Sequence, residues 1–372
     1  MKMDFDAIAI GGGLAGSAFA ITLARQGLRV AVIERTPAPQ IKVCGDFLSV
    51  EAQQLLLGLG LDVRAMGAHR ITDFRLATQR IAATAPLPFD AAGLSRLKLD
   101  ESLLSEARRA GAEIIRGKGA SALEPGPRHV TIQIGGRALT AQWVALATGK
   151  HNFRGLQRPG GGPTAFKMSF ELSASAVRSL LGVVQLVSYR GGYIGACNIE
   201  CGAATLCWLA DKSFMQRTQG RWSTQLDELA RQSPYLCDLL VNAKPLAEKP
   251  ATISAIPIGY IRHNEIEARV FPIGDQIAVI PSFTGDGTSI ALLSGIAAAQ
   301  AVVTGQRAGQ FQDAFHARLR GQFRWARAID LSFRSPLARF LSVGAVAAFP
   351  GLATGLTRLT RLTNAPSDTM RA

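Results

Sequence analysis

The chain is poor in cysteine, in aromatics and in blocks of like charge. Five cysteines among 372 residues form an odd set with no C-x-x-C pair, which argues against a disulfide framework. Cys197-x-x-x-Cys201 has no histidine at ligand spacing, so no metal is expected. Charged residues make up only 18% and hydrophobic residues 48%, a balance that excludes a disordered chain. The net charge is +14, yet Lys and Arg are scattered in short pairs such as Arg108-Arg109. No nucleic-acid face is therefore expected; a generally basic surface suits an anionic cofactor or an acidic membrane. Long uninterrupted apolar runs are missing too. Residues 287–306 are uncharged and rich in small side chains, as in a helix packed inside a domain. Residues 340–357 are uncharged but broken by Gly344, Pro350, Gly351 and Gly355, too short and interrupted for a membrane span. Arg334, Arg339, Arg358 and Arg361 flank this segment, which leaves contact with a membrane surface open. The first strand starts almost at the N-terminus, leaving no room for a secretory signal, so a cytoplasmic location is expected.

What is present is concentrated in residues 6–34, DAIAIGGGLAGSAFAITLARQGLRVAVIE. An apolar run ends at Ile10, a glycine turn follows, and an Ala/Leu-rich helix leads into a second apolar run that closes on Glu34. Gly11, Gly13 and Gly16 carry the G-x-G-x-x-G spacing, and the acid falls where a ribose-binding carboxylate belongs. Gly11 allows the tight turn, Gly13 the close approach of a pyrophosphate, and Gly16 close helix–sheet packing. The N–H groups of the first helical turn, at Leu14 and Ala15, are free to face phosphate oxygens.

Hydrophobic periodicity extends the pattern. Residues 6–10 and 28–33 read as parallel strands around a helix over 14–26. Helices are expected at 51–57 and 99–109, and strands within 74–87 and at 112–116. Residues 129–134 and 139–147 alternate around Gly135-Gly136, as two antiparallel strands. The glycine- and proline-rich stretch 155–163 is a joint. Strands are then expected at 167–172, 183–189, 192–200 and 204–209, and a helix over 226–240 divided by Pro234. Residues 270–275 return to the first domain, a long helix starts near Ser289, and the chain after Phe311 is mostly helical. The resulting division is a nucleotide domain with inserted strands (1–164), a β-rich substrate-side domain (165–265), completion of the nucleotide domain (266–330) and a helical or peripheral terminus (331–372).

Taken in order, Gly11–Gly16 with Glu34-Arg35, Lys42-Val-Cys-Gly-Asp46, Leu94-Ser-Arg96 with Leu99-Asp100, Ala147-Thr-Gly149, and Gly274-Asp275 running to Gly287 resemble FAD-dependent oxidoreductases of the geranylgeranyl-reductase and aromatic-hydroxylase-like superfamily. The resemblance implies an α/β fold plus a mixed β-sheet: a glutathione-reductase-like Rossmann FAD-binding fold with an inserted substrate domain and a helical C-terminus. It implies noncovalent FAD, with Gly11, Gly13, Leu14, Ala15, Gly16 and Glu34 at its ADP part. Arg35 and Arg96 fall at the adenine side or the phosphates, and Asp275 near the ribityl chain. Gly285, Asp286 and Gly287 fall near the pyrimidine edge. The 42–46 segment resembles the cysteine loop of isoprenoid-reducing flavoproteins. That places Cys44 at the flavin or substrate cavity, as a cavity-shaping group or a catalytic one, with Asp46 organising the same pocket.

Two departures narrow this reading. Gly149-Lys-His151 replaces the Asp-Gly motif that many aromatic hydroxylases use with nicotinamide, so the electron donor stays open, NAD(P)H among the candidates. The halogenase-like W-x-W-x-x-P is missing, since Trp143, Trp208, Trp222 and Trp325 are isolated. The expected function is oxidoreduction of a hydrophobic unsaturated metabolite (prenyl, lipid or polyketide-like) by hydride delivery from flavin N5. Monooxygenation of an aromatic or polyketide substrate is the alternative, and a non-catalytic flavin- or lipid-binding role a third. Expected partners are that small molecule and an electron-transfer protein. Aromatics at 166–170, 189–193 and Phe283 are candidates for the cavity, and His151 and His263 for proton handling.

Overall fold

The computed structural model describes residues 3–263 and 266–349, together with positions 351, 355 and 361. Two sheets organise them. In the first, the spatial order is Glu113–Arg116, Val30–Glu34, Phe5–Ile10, Arg137–Leu146, Val130–Ile134 and Ala120–Pro125, with Val270–Pro272 also paired to Arg137–Leu146. The central strands are parallel, with Ile8 opposite Ala31 and Val144. They read as continuous apolar runs because both faces are covered. Ala7, Ala9 and Val32 face a helical layer, while Ile8, Ile10 and Ile33 face the antiparallel strands of 130–146.

The helical layer sits close because its side chains are small. Helix Leu14–Ala24 is buried on almost every side. It lies against helix Gly287–Val303, where a Cβ on Gly295 would fall 2.3 Å from the Ala15 carbonyl oxygen. A Cβ on Gly16 would fall 1.9 Å from the Gly11 carbonyl oxygen. Glycine at these two points lets the helix starts converge on the strand ends.

The second sheet has the order Lys244–Pro245, Thr164–Glu171, Ala203–Ala210, Gly192–Asn198, Gly182–Tyr189, His69–Ala77, Ala82–Gly93 and Phe47–Leu48, with Ala251–Ile253 beside Thr164–Glu171. Strands from 47–93 thus join the 164–253 strands in one layer, through the parallel pairing of Gly182–Tyr189 with His69–Ala77. Pro234 divides the expected helix into Trp222–Gln232 and Pro234–Leu240. Two short helices escaped the periodicity, Ala174–Ser179 and Lys212–Arg217. Ser173 and Asp211 cap them by accepting from the N–H groups of Ala176 and Phe214, a cue that short helices do carry.

The long helix Ala308–Arg334 is followed by Pro336–Ala348, which starts on a proline and is capped by Ser335. Val343 and Val346 pack onto Leu76, Ala83, Ala85 and Leu186 of the second sheet. Leu337, Phe340, Leu341 and Phe349 stay exposed. Of the interrupted apolar segment 340–357, positions 350, 352–354, 356 and 357 lie outside the described residues, as does the flanking Arg358. Among the described residues no helix is long and apolar enough to cross a membrane.

The glycine contact at the helix crossing is testable. Gly295→Ala should destabilise the fold by about 1–3 kcal/mol through overpacking. Gly321→Ala, in an exposed helical position with open space around it, should be neutral or stabilising by up to about 1 kcal/mol. Denaturant midpoints of the two variants measure the contrast.

Candidate functional site

The site begins where strand Phe5–Ile10 ends. Gly11 takes φ 114°, and a Cβ there would lie 2.3 Å from the Ala147 carbonyl oxygen, so the turn admits only glycine. Behind it the Glu34 carboxylate accepts from Gly12 N–H at 3.0 Å, Thr36 N–H at 2.9 Å and Thr36 Oγ1 at 2.7 Å. Burial opposes the charge on Glu34, but the Thr36 and Gly12 donors outweigh it and hold the carboxyl below its usual range. No side chain caps helix Leu14–Ala24 at Gly13, and Gly13, Leu14 and Ala15 line a cavity of about 540 Å³. The open side of Gly13 looks toward Arg96, whose Nη2 would lie 3.7 Å from an added Cβ.

Arg96 opens helix Arg96–Arg109 and pairs with Asp100 in both prongs, at 2.7 and 2.9 Å. Burial pulls its pKa down, but Asp100 outweighs burial and drives it up. The guanidinium is thus a fixed positive charge on the cavity wall. Asp275 sits in the turn Gly274–Gln276. Its carboxylate is 3.3 Å from Lys150 Nζ, and its carbonyl accepts from Arg158 at 2.6 Å. Lys150 and Arg158 were not singled out in the sequence, although the Gly149-Lys-His151 departure marked the place. Burial, then the charges of Arg35, Lys42, Arg158 and Lys150, push the His151 pKa down.

The turn 281–287 closes the far side. Gly285 has φ 72°, and a Cβ there would meet the Phe47 ring at 2.6 Å. Gly285, Gly287 and Thr288 lie on the wall at the start of helix Gly287–Val303.

Eight of the expected residues therefore share one wall: Gly13, Leu14, Ala15, Cys44, Arg96, Asp275, Gly285 and Gly287. Gly11, Gly16 and Glu34 stand behind it as its support, and Arg35 is solvent-exposed. Asp286 requires a correction. Its carboxylate turns from the wall to accept from Gln322 at 2.7 Å and from Arg361 at 2.5 Å, because the helix start presents main chain, not that side chain, to the cavity. Burial raises its pKa to about 7 despite the Arg361 charge.

Asp46 lies deeper than Cys44, at φ 55°. It forms a buried ion pair with Lys167 and accepts from Thr205 Oγ1 at 2.5 Å and Arg96 N–H at 3.0 Å. Cys207 also lines the cavity, and burial pushes its thiol up to about 12. All five cysteines are free thiols. Among the described residues no cluster of three metal-ligating side chains occurs. Much of the remaining wall is apolar, with Leu76, Leu87, Val184, Leu186, Phe283 and Val346 beside a few polar groups such as Gln185, Ser282 and Arg361. Tyr193 and Trp208 also reach it. Phe166 instead stacks on Trp208 at 5.2 Å, Phe170 and Tyr189 are core residues, and His263 meets His316 edge-on, off the wall.

Residues 4–180 match the family described as FAD binding domain. The probable electron transfer flavoprotein-quinone oxidoreductase YdiS of Escherichia coli is 33% identical over 163 residues, 41% of this chain and 38% of that protein, so the match spans well under half of that relative. Protein FixC of Escherichia coli is 24% identical across 95% of this chain and 90% of its own length. Squalene monooxygenase SE2 of Panax ginseng is 41% identical over 73 residues, 19% of this chain and 13% of that protein. A flavoprotein/dehydrogenase from Cytophaga hutchinsonii shares the fold with a TM-score of 0.81 at 15% identity, over 95% of this chain and 92% of that one. The residues present fit FAD. An uncapped helix start, a fixed cation beside an open glycine, an acid behind the turn and main chain at a second helix start are the groups a dinucleotide flavin needs.

The raised pKa of Asp286 sets a pH dependence. Because the folded value lies above the unfolded one, its contribution to stability is full below about pH 4 and is lost as pH rises through about 7. The stability of the native protein relative to Asp286→Asn should therefore fall by about 2 kcal/mol between pH 5 and 8, read from paired denaturation curves. A difference that stays flat across that range contradicts the assignment.

Proposed function

We propose that this chain, whose residues 4–180 match the FAD binding domain family, is an FAD-dependent oxidoreductase that reduces a hydrophobic unsaturated metabolite, a prenyl, lipid or polyketide-like molecule. The observation that carries this reading is one continuous cavity whose wall runs from Gly13, Leu14 and Ala15 to Leu76, Leu186 and Val346. Bound FAD supplies hydride chemistry at N5. The chain's own groups bind and orient it. The N–H groups at Leu14 and Ala15, with the Arg96 guanidinium, take the diphosphate, and Glu34 takes the ribose hydroxyls through its free lone pairs. Asp275, held by Lys150, takes the ribityl chain. Main-chain donors at 285–288 favour negative charge at the pyrimidine edge. Cys44 shapes the wall beside the reacting region, and Cys207 keeps its proton. The apolar chamber excludes water and selects a hydrophobic substrate.

Monooxygenation of an aromatic or polyketide substrate is the second reading, favoured by the match to a squalene monooxygenase. A non-catalytic flavin- or lipid-binding role is the third. An electron-transfer partner is supported by the quinone-oxidoreductase relative and by the +14 charge, and NAD(P)H is a candidate donor. The exposed Leu337, Phe340 and Leu341 beside Arg339 support peripheral contact with a membrane. Anaerobic reduction with candidate donors, followed by product mass analysis, separates the readings. A gain of two hydrogens marks alkene reduction, label from O₂ marks monooxygenation, and no turnover by fully loaded protein leaves the accessory role.

Three outcomes are expected of this site. Denaturing extraction should release one noncovalent FAD per chain. Glu34→Ala should weaken FAD retention by roughly 1.5–3 kcal/mol, measured by flavin titration, with the fold intact; unchanged affinity would place Glu34 outside the ribose site. Cys44→Ser should keep FAD but alter turnover or product pattern, and wild-type kinetics and products would remove Cys44 from the functional site.

A further inference from the structure

Among the described residues, two on the cavity wall carry a buried polar atom without a hydrogen-bond partner, Tyr193 Oη and Arg361 Nε. Arg361 is otherwise engaged: its Nη1 holds Asp286, and its guanidinium lies over the Phe89 ring at 4.4 Å. Tyr193 has no such anchor at its polar end.

Its ring is held firmly. Tyr193 is on strand Gly192–Asn198, opposite Ser188. The ring meets Phe283 edge-on, with centroids 6.5 Å apart, and packs between the cluster around Leu76, Leu186 and Val346 and the cluster around Ala165, Leu209 and Val279. The ring is half-buried along the cavity, while its oxygen is sealed from bulk solvent. Ser282, also on the wall, lies near enough to the phenol to act on it as a weak polar neighbour, but the two do not meet in hydrogen-bond geometry. Burial drives the phenol pKa far up against the opposing influence of Ser282, so the group stays a neutral donor. A buried donor with no acceptor carries a desolvation penalty that a correctly placed ligand oxygen relieves.

We propose that Tyr193 is a substrate-binding residue that reads a head oxygen: it donates to a carbonyl, hydroxyl or ether oxygen at one end of an otherwise apolar substrate. The inference rests on the reading of this cavity as the substrate site, and it narrows the substrate class from any hydrophobic metabolite to one with an acceptor oxygen next to its apolar body. The place of the oxygen follows from the neighbours of the phenol. Ser282 and Phe283 belong to the same turn as Gly285, so the head lies beside that turn and the apolar body lies against Leu76, Leu186 and Val346. Where that oxygen is a carbonyl conjugated to the reducible double bond, the same hydrogen bond favours the negative charge that hydride addition places on it. In that reaction hydride from the reduced flavin would add to the β-carbon, the π electron pair would move onto the oxygen, and the resulting enolate would take a proton from solvent at the α-carbon.

The test uses two unreactive bicyclic probes of nearly equal shape, 1-tetralone, which carries one carbonyl, and tetralin, which carries none. Affinities for oxidised, FAD-loaded protein are read from perturbation of the flavin absorbance, in the native protein and in Tyr193→Phe. The native protein should prefer 1-tetralone by about tenfold. Tyr193→Phe should lose that preference through weaker binding of 1-tetralone, with tetralin bound as well or better and flavin content unchanged. Tyr193→Leu, which removes the ring as well, should weaken both probes. Equal affinity of the native protein for the two probes, or a preference that survives in Tyr193→Phe, overturns the assignment while leaving the cavity as a substrate site. Absence of any perturbation by either probe overturns both the assignment and the cavity reading beneath it.

Discussion

The buried pair of Asp46 and Lys167 is the constraint on which the rest of the site depends. Asp46 belongs to the loop that follows the nucleotide-binding unit, and Lys167 to a strand of the second sheet. Their ionic contact is almost wholly removed from water, and Thr205 Oγ1 and Arg96 N–H complete the carboxylate's partners. Desolvating two charges is expensive, so such a pair persists only when further hydrogen bonds satisfy it, and removing one partner strands the other. Here the satisfied carboxylate ties three parts of the chain to one point: the cysteine loop, the start of helix Arg96–Arg109, and two strands of the second sheet. Cys44 and Gly45 on the wall are positioned by this knot, as is the main chain that presents Arg96.

A second constraint acts on the opposite wall and is steric. Gly11, Gly16 and Gly295 remove side chains where main chain approaches main chain. The starts of helices Leu14–Ala24 and Gly287–Val303 therefore reach the ends of the parallel strands. Gly274, at φ 60°, places the Asp275 turn between them, with its N–H bonded to Ser294 of the second helix at 2.8 Å. An electrostatic knot and a glycine-packed layer together fix a cavity whose two sides come from different sheets.

Much of this was legible because it is local. The glycine spacing, the acid at the end of the second strand and the apolar periods identify the nucleotide unit without reference to any distant residue. Strands at 182–210 and the break at Pro234 were legible for the same reason. What stayed hidden depends on contacts between remote segments. Nothing near His69–Gly93 signals that these strands join the sheet of 164–253, since their alternation is equally compatible with either layer. Lys167 reads as an ordinary alternating position until Asp46 is placed against it. Lys150 and Arg158 carry no local signal because their partner, Asp275, arrives from a distant part of the chain. Asp286 shows the opposite error: its neighbours Gly285 and Gly287 do line the cavity, but position in sequence does not fix side-chain direction at a helix start.

The distribution of charge along the cavity explains why one chamber can serve two different guests. Near Gly13 and Asp275 the wall carries Arg96 and Lys150, each tied to a carboxylate that fixes its place, which suits an anionic diphosphate without leaving a loose cation. Toward Val184 and Leu186 the polar groups thin to the Tyr193 phenol, the Cys207 thiol and Gln185, whose side chain is already engaged by Arg75 at 3.0 Å. Helix Pro336–Ala348 roofs this end with Val343 and Val346 while leaving Leu337 and Phe340 outward. An apolar guest admitted beneath that roof meets low-dielectric walls on the side away from the cofactor. On the proposed function, charge developing during its reduction or oxygenation would find its stabilising groups at the Gly13–Asp275 end and at the few polar atoms beside the 281–287 turn. On the proposed function, selectivity for the guest and stabilisation of the reacting charge would have the same origin, the scarcity of polar groups in a chamber whose carboxylate-paired cations Arg96 and Lys150 stand at one end.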